Sequence, residues 1–237
     1  MIRFLGVYDY TVILSYLSLI SSIFGITQAI HADYKTAILC LAFSGICDAF
    51  DGRVARSKKS RTEDEKNFGI QLDSLCDVIC FGLFPAVICY LLGMRGVLGL
   101  CIVFFYCICA VIRLAFFNVL EGKRQQVEGG GNKTYRGLPV TSIAFILPLA
   151  FWVQFLIPDL AFLILLHIVL ALVGFLFILD FPLRKPTLKS LLIMIGITAF
   201  TVGIIFTYTR FKLPPQADET NPIVEEIVEE LYEAETP

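Results

Sequence analysis

Charge is scarce in this chain. Lys and Arg number 19 and Asp and Glu 21 among 237 residues, 17% in all, and the formal net charge is −2. With 57% apolar residues and a mean hydropathy of +0.78, a soluble domain of this size is excluded. A nucleic-acid binder is excluded as well, because the basic residues sit in short loops between apolar stretches of about 20 residues. Those stretches lack the period-two alternation of barrel strands, so helices are expected. Paired metal-binding cysteines are missing. Cys40, Cys47, Cys76, Cys80, Cys89, Cys101, Cys107 and Cys109 all fall inside apolar stretches and read as small buried hydrophobes. The close spacing of Cys76 and Cys80 lacks the second pair and the histidines of a zinc site. No solenoid repeat and no transporter-like repeat of two halves is present. The first stretch has neither a basic flank nor a small-residue cleavage site, so it is expected to stay as a helix.

What the chain does have is seven apolar stretches, at 10–30, 36–56, 68–92, 96–119, 138–157, 160–180 and 188–209. At 1.5 Å rise per residue each can cross about 30 Å of hydrocarbon. One face collects Arg3, Arg53, Arg56, Lys58, Lys59, Arg61, Lys66, Lys123, Arg124, Lys133, Arg136, Arg184, Lys185 and Lys189, which is 14 of the 19 basic residues. The positive-inside rule therefore puts the N-terminus and the 53–67 loop in the cytoplasm, and seven spans put the C-terminus outside. Residues 213–237 carry eight Asp or Glu and no Lys or Arg, the pattern of a solvated tail, the alternative being a short amphipathic helix with Ile223, Ile227, Val228 and Leu231 on one side. The expectation is an all-α, polytopic integral membrane bundle over residues 1–209, with an acidic, disordered tail over 210–237. Gly129 to Thr134 lacks Walker spacing and a preceding strand, so it reads as a linker. His167 reads as a packed, hydrogen-bonded histidine. Gly82 and Pro85 are expected to bend the third helix, opening the site toward lipid.

Acids at membrane depth cost roughly 2.5 to 3.5 kcal/mol each on insertion scales, so their positions are informative. Asp48 and Asp51 lie three apart near the end of the second stretch, and Asp73 and Asp77 four apart near the start of the third. These spacings put each pair on one helix face, and the connection makes the two helices antiparallel neighbours with all four carboxylates converging below the cytoplasmic surface. Four ionised carboxylates so close repel by several kcal/mol unless cations neutralise them. Hard oxygen ligands select Mg²⁺ or Mn²⁺, and two such ions balance four negative charges. Paired metals are a recurrent device of phosphoryl chemistry. Gly52, Ala55 and Arg56 share the stripe of Asp48 and Asp51, leaving room for a bulky group beside a guanidinium fork suited to phosphate, and Gly69 stands four residues before Asp73. For each small residue alone, close helix packing is the plainer explanation. The set as a whole points to a site.

Asp48-x-x-Asp51-Gly52-x-x-Ala55-Arg56, followed by Gly69-x-x-x-Asp73-x-x-x-Asp77, resembles the signature of the CDP-alcohol phosphotransferases, membrane enzymes of phospholipid synthesis. The spacer from Ser57 to Phe68 is longer than is common there, and is expected to extend the cytoplasmic loop. The resemblance implies a six-helix core, to which the seventh span is an addition, and a homodimer. It implies that Asp48, Asp51 and Asp73 bind the metals, with Asp77 completing the cluster and acting as general base on the incoming hydroxyl. Gly52, Ala55, Arg56 and Gly69 would line the CDP site, from which CMP leaves.

Further features resemble the membrane-type phosphatidylserine synthases of that family. They are Gln71 to Asp77, Phe81-Gly82 with Pro85, Arg113-Leu114-Ala115 with Phe117-Asn118, Arg136-Gly137-Leu138-Pro139, and the basic loop Arg184 to Lys189. Phe116 departs from the Arg usual in that branch. The implied reaction joins CDP-diacylglycerol to L-serine, giving phosphatidylserine and CMP. A serine carboxylate entering among aspartates needs a cation, and Arg113 within a span, then Arg136, are the candidates, the alternatives for Arg113 being snorkelling to the cytoplasmic headgroups or pairing with one of the aspartates. Asn118 lies about 140° around the helix from Arg113, so both cannot face one site on a straight helix. The alternative acceptors are glycerol 3-phosphate or an inositol phosphate, which would use Lys123, Arg124, Lys133 and Arg136. A cation transporter, from a different class, would place its acids near the midplane with an exit on both sides.

Overall fold

A computed structural model describes residue 6 and residues 10–58, 62–126, 134–184 and 188–207; for 56, 123–126, 134–136, 183–184, 188–192, 202 and 204–207 it describes the backbone alone. The elements are α1 (Ile13–Ile30), α2 (Tyr34–Ser57), α3 (Glu63–Asp77), α4 (Phe84–Leu91), α5 (Val97–Gln126), β1 (Thr134–Arg136), α6 (Ile143–Val153), α7 (Asp159–Ile178), β2 (Pro182–Arg184) and α8 (Leu188–Thr207). All seven apolar stretches are helical, and the architecture is the expected all-α bundle with one short two-stranded ribbon.

The first two helices form an antiparallel hairpin through small residues. Ser15, Ser18, Ser22, Gly25 and Ala29 alternate three and four apart, which makes one buried stripe along α1. Small side chains let helix backbones approach, and hydroxyls bond across the gap. Ser44 Oγ donates to the Ser18 carbonyl at 3.0 Å, and the Ser22 and Ser44 hydroxyls lie 2.9 Å apart. The opposite side of α1, with Ile20, Ile23 and Phe24, is exposed and suited to lipid. The turn is a Schellman motif: Ala32 N–H bonds to Ala29 O and Asp33 N–H to Gln28 O, with Ala32 at φ 61° where glycine is usual. Asp33 then caps α2 by accepting from Thr36 N–H.

α3 starts at Glu63, earlier than the apolar pattern alone indicates, because Thr62 and Glu65 form a reciprocal capping box. The polar spacer is thus only in part loop. Its second half is the first turns of α3, and Lys58 reaches across the connection to Glu65 at 3.3 Å. Beyond Asp77 the helix widens into a π-helical turn, Val78–Leu83, before resuming as α4. Phe81, Phe84 and Ile88 from this run are fully buried among Ile38, Leu41, Tyr106, Ile143 and Leu147.

The other helices close around that run. α5 has 30 residues, about 45 Å at the standard rise. α7 packs along it so closely that a Cβ on Gly174 would lie 3.2 Å from Tyr106 Cα. α6, of 11 residues, packs on α2, α7 and α8. The segment before α6 is tied down by pairing of β1 with β2, by Gly137 N–H to Phe181 O (2.9 Å) and by Leu138 N–H to Leu176 O (3.2 Å). Gly137 has φ +73°, and a Cβ there would sit 2.9 Å from Leu179 O, so only glycine fits. Among the described residues, four of the seven expected spans lie in helices long and apolar enough to cross a membrane: Tyr10–Ile30, Glu63–Leu91, Val97–Gly122 and Asp159–Ile178.

All eight cysteines are free. Two depart from the expected burial: Cys101 is exposed and Cys107 half-buried, because the outer side of α5 is apolar surface that a lipid phase has no reason to hide. His167 Nδ1 lies 2.7 Å from Leu163 O, the packed histidine expected. The Gly129 to Lys133 segment and the acidic tail lie outside the described residues.

Candidate active site

Three of the four motif acids converge. One carboxylate oxygen each from Asp48, Asp73 and Asp77 lie within 4.8 Å of one another, with Asp77 buried and the other two half-buried. Asp51 is outside this compact trio. Its carboxyl lies against that of Asp73, with the Gly52 backbone amide beside it. α2 and α3 meet at these acids as their spacing requires, but among the described residues they do not pack closely along their length. α1 packs against both, so the antiparallel neighbours expected are joined through α1 as well as at the acids.

Two hydroxyls from other elements complete the wall. Ser15 of α1 bonds to Asp73, and Thr141, in the turn entering α6, bonds to Asp48. A stripe search along α1 would have found Ser15, because it starts the Ser15-Ser18-Ser22 series. Nothing in the sequence points to Thr141, which is brought in by the ribbon and by the Gly137 turn.

Gly52, Ala55 and Gly69 are half-buried on the same two helices. The Arg56 backbone continues α2, and Arg136 belongs to β1; the side chains of both lie outside the described parts of the structure. Arg113 is 6% exposed, and its Nε donates to the Leu138 carbonyl at 3.1 Å. Its guanidinium therefore touches the segment that leads to Thr141. Asn118 faces elsewhere, as the helical angle requires. It accepts from Ser74 Oγ at 2.7 Å and donates through Nδ2 to Gln71 Oε1 at 3.3 Å, pinning α5 to α3 beside Asp73. Phe116 points out of the bundle.

The trio fits a hard divalent cation. Oxygens on opposite sides of such an ion, each about 2.0–2.5 Å from it, are about 4–5 Å apart, and the three oxygens here lie within that reach, no more than 4.8 Å from one another. No sulfur or imidazole donor joins the compact group among the described residues, which matches an oxygen-selecting ion rather than zinc.

Helices long and apolar enough to cross a membrane, packed with a helix pair that brings buried and half-buried acids together, define a polytopic membrane protein with a polar site. A family model described as CDP-alcohol phosphatidyltransferase matches residues 10–179, and the chain belongs to that family. It is an integral membrane protein. Among curated proteins it is similar to the CDP-diacylglycerol--serine O-phosphatidyltransferase of Saccharomyces cerevisiae, 35% identical over 113 residues that make 46% of this chain and 40% of the yeast protein. The Helicobacter pylori protein of the same name is 40% identical over 105 residues, 42% of this chain and 43% of that one. The archaetidylserine synthase of Methanothermobacter thermautotrophicus is 33% identical over 133 residues, 54% and 51% of the two chains. The matched region thus spans about two fifths to half the length of these relatives.

Proposed function

We propose that the protein transfers a phosphatidyl group from CDP-diacylglycerol to L-serine, yielding phosphatidylserine and CMP. The observation that carries this reading is the convergence of the Asp48, Asp73 and Asp77 carboxylates inside the family motif. Relatives bearing the serine transferase name support serine as the acceptor.

In this reading Asp48, Asp51, Asp73 and Asp77 hold two divalent ions, Mg²⁺ or Mn²⁺. Such ions bound to phosphate oxygens would offset the charge that develops as the pyrophosphate bond breaks. Gly52, Ala55 and Gly69 keep the α2 and α3 surfaces low so that the CDP moiety lies against them, with Arg56 on its phosphates. Asp77, the most enclosed acid, takes the proton from the serine hydroxyl. The serine oxygen then bonds to the phosphorus attached to diacylglycerol, the bond from that phosphorus to the bridging oxygen breaks, and CMP departs with its electron pair. Ser15 and Thr141 hold Asp73 and Asp48 in place. Arg113 and Arg136 receive the serine carboxylate. Since Arg113 also holds the Leu138 carbonyl, binding of the acceptor is linked to the loop that carries Thr141.

The acids adjoin the basic connection between α2 and α3, with Arg53, Arg56, Lys58, Lys59, Arg61 and Lys66, which supports a site on the cytoplasmic face of the cell membrane. Residues 1–209 form the catalytic membrane unit, residues 210–237 an acidic appendage, and the working assembly is a homodimer. Purified protein given labelled CDP-diacylglycerol, Mg²⁺ or Mn²⁺ and a panel of alcohols should form phosphatidylserine and CMP. Preferred use of glycerol 3-phosphate or an inositol phosphate would reassign the acceptor. Absence of any lipid product with every alcohol would end the reading.

A further inference from the structure

The π-helical turn after Asp77 is held by a residue that neither the motif nor the site includes. Up to Val78 the chain keeps helical register, with Val78 N–H on Ser74 O, whereas Phe84 N–H reaches back five residues to Ile79 O. One extra residue in the turn displaces everything beyond it by about 100° relative to an unbroken helix. The displacement lets α3 present Asp73 and Asp77 to α2 while α4 buries Phe84, Pro85 and Ile88. If the turn collapsed to regular helix, one of those two faces would have to rotate away.

Pro85 has no backbone N–H, so the carbonyl of Phe81, four residues earlier, loses the donor a regular helix would supply. That carbonyl is buried and would be costly to leave unmet. Tyr106 of α5 meets it, with Oη donating to Phe81 O at 2.5 Å. Cys107 Sγ lies 3.7 Å from the next carbonyl, Gly82 O. Tyr106 is itself immobilised: it is fully buried, its ring is 5.5 Å from that of Phe177, and Gly174 admits α7 against its backbone. α5 and α7 thus hold the end of the helical run that carries Asp77.

We propose that Tyr106 is a positioning residue for Asp77: its hydroxyl replaces the hydrogen bond that Pro85 removes, and so maintains the wide turn that aims Asp77 at Asp48 and Asp73. The inference rests on Asp77 belonging to the reacting site, and it concerns a group that touches no substrate.

The test is a double-mutant cycle on the full chain with Tyr106→Phe and Pro85→Ala, reading both Mn²⁺ affinity by electron paramagnetic resonance and CMP release from CDP-diacylglycerol and serine. Tyr106→Phe should lower kcat about tenfold and weaken Mn²⁺ binding severalfold, leaving KM for the donor within about twofold. Pro85→Ala restores a backbone donor, so in that background Tyr106→Phe should cost less than about twofold further. Pro85→Ser, which also carries an N–H, substitutes if the alanine variant does not fold. The proposal is overturned if Tyr106→Phe costs the same factor in both backgrounds, which would make it a packing residue, or if it changes neither kcat nor Mn²⁺ affinity. A wild-type protein that binds Mn²⁺ but forms no lipid would defeat the transferase reading, while the Mn²⁺ arm of the cycle still decides the role of Tyr106.

Discussion

Glu63–Leu91 and Asp159–Ile178 are both long and apolar enough to cross a membrane, yet they are used in opposite ways. The first carries Asp73 and Asp77, is the less apolar of the two, and has 61% of its apolar window buried inside the protein. The second is the most apolar of the four candidate spans and has only 33% buried. In water the order would be reversed. In a bilayer, lipid accepts Ile164, Ile168 and Leu172 of α7 without cost, whereas carboxylates, a bent backbone and unmet carbonyls must be turned inward to find partners. Between these two spans, then, burial follows polarity and backbone irregularity, and the more buried one is the one that carries the motif acids.

Substitutions that ignore this contrast should fail unevenly. Asp48→Asn, Asp73→Asn or Asp77→Asn should each reduce phosphatidyl transfer by about 100-fold or more, since each removes a charged oxygen from the trio. Ile168→Ala or Leu172→Ala on the lipid face of α7 should leave turnover within about twofold, because little packing is lost there. Comparable losses from both sets in a CMP-release assay would dissolve the distinction between the spans. Chelation of divalent ions should abolish activity as completely as the aspartate changes do.

Arg113→Lys sharpens the comparison from α5. It keeps the charge but not the planar fork, so KM for serine should rise about tenfold while KM for CDP-diacylglycerol stays nearly constant. Equal effects on both substrates would make the Leu138 contact its whole role.

Gly137→Ala places a Cβ against Leu179 O at a positive φ, and should lower stability by about 1–3 kcal/mol and disturb Thr141, measurable as a lower midpoint of thermal unfolding. The smallest effect is expected at the α1–α2 turn. Ala32→Gly relieves a left-handed alanine and should raise stability by no more than about 1 kcal/mol, with activity unchanged. A loss of stability there would mean that the flexibility added to the unfolded chain outweighs the relief.

The positions of the helices were legible because they depend on local quantities. An apolar run of the right length has few options in a bilayer, and acids three and four residues apart share a face whatever surrounds them. The family, the pairing of Asp48 with Asp73 and Asp77, and the packed His167 could all be read this way. The capped start of α3 was visible in principle at Thr62 and Glu65, but hydropathy hides it, since those residues are polar like a loop.

Other features depend on distant partners, and no window of sequence contains them. Asp51 is outside the compact trio although its carboxyl meets that of Asp73, a difference of side-chain placement that spacing along α2 does not determine. Thr141 reaches Asp48 because a ribbon between residues 134–136 and 182–184 fixes the entry to α6. Arg113 and Asn118 diverge as helical geometry demands, but which neighbour each meets was set by the placement of the ribbon and of α3. Gly82 and Pro85 announced an irregularity in the third span. That it is a wide turn capped by Tyr106, rather than a simple bend, was decided by α5, because a buried carbonyl deprived of its own helix's donor must take one from whichever helix packs beside it.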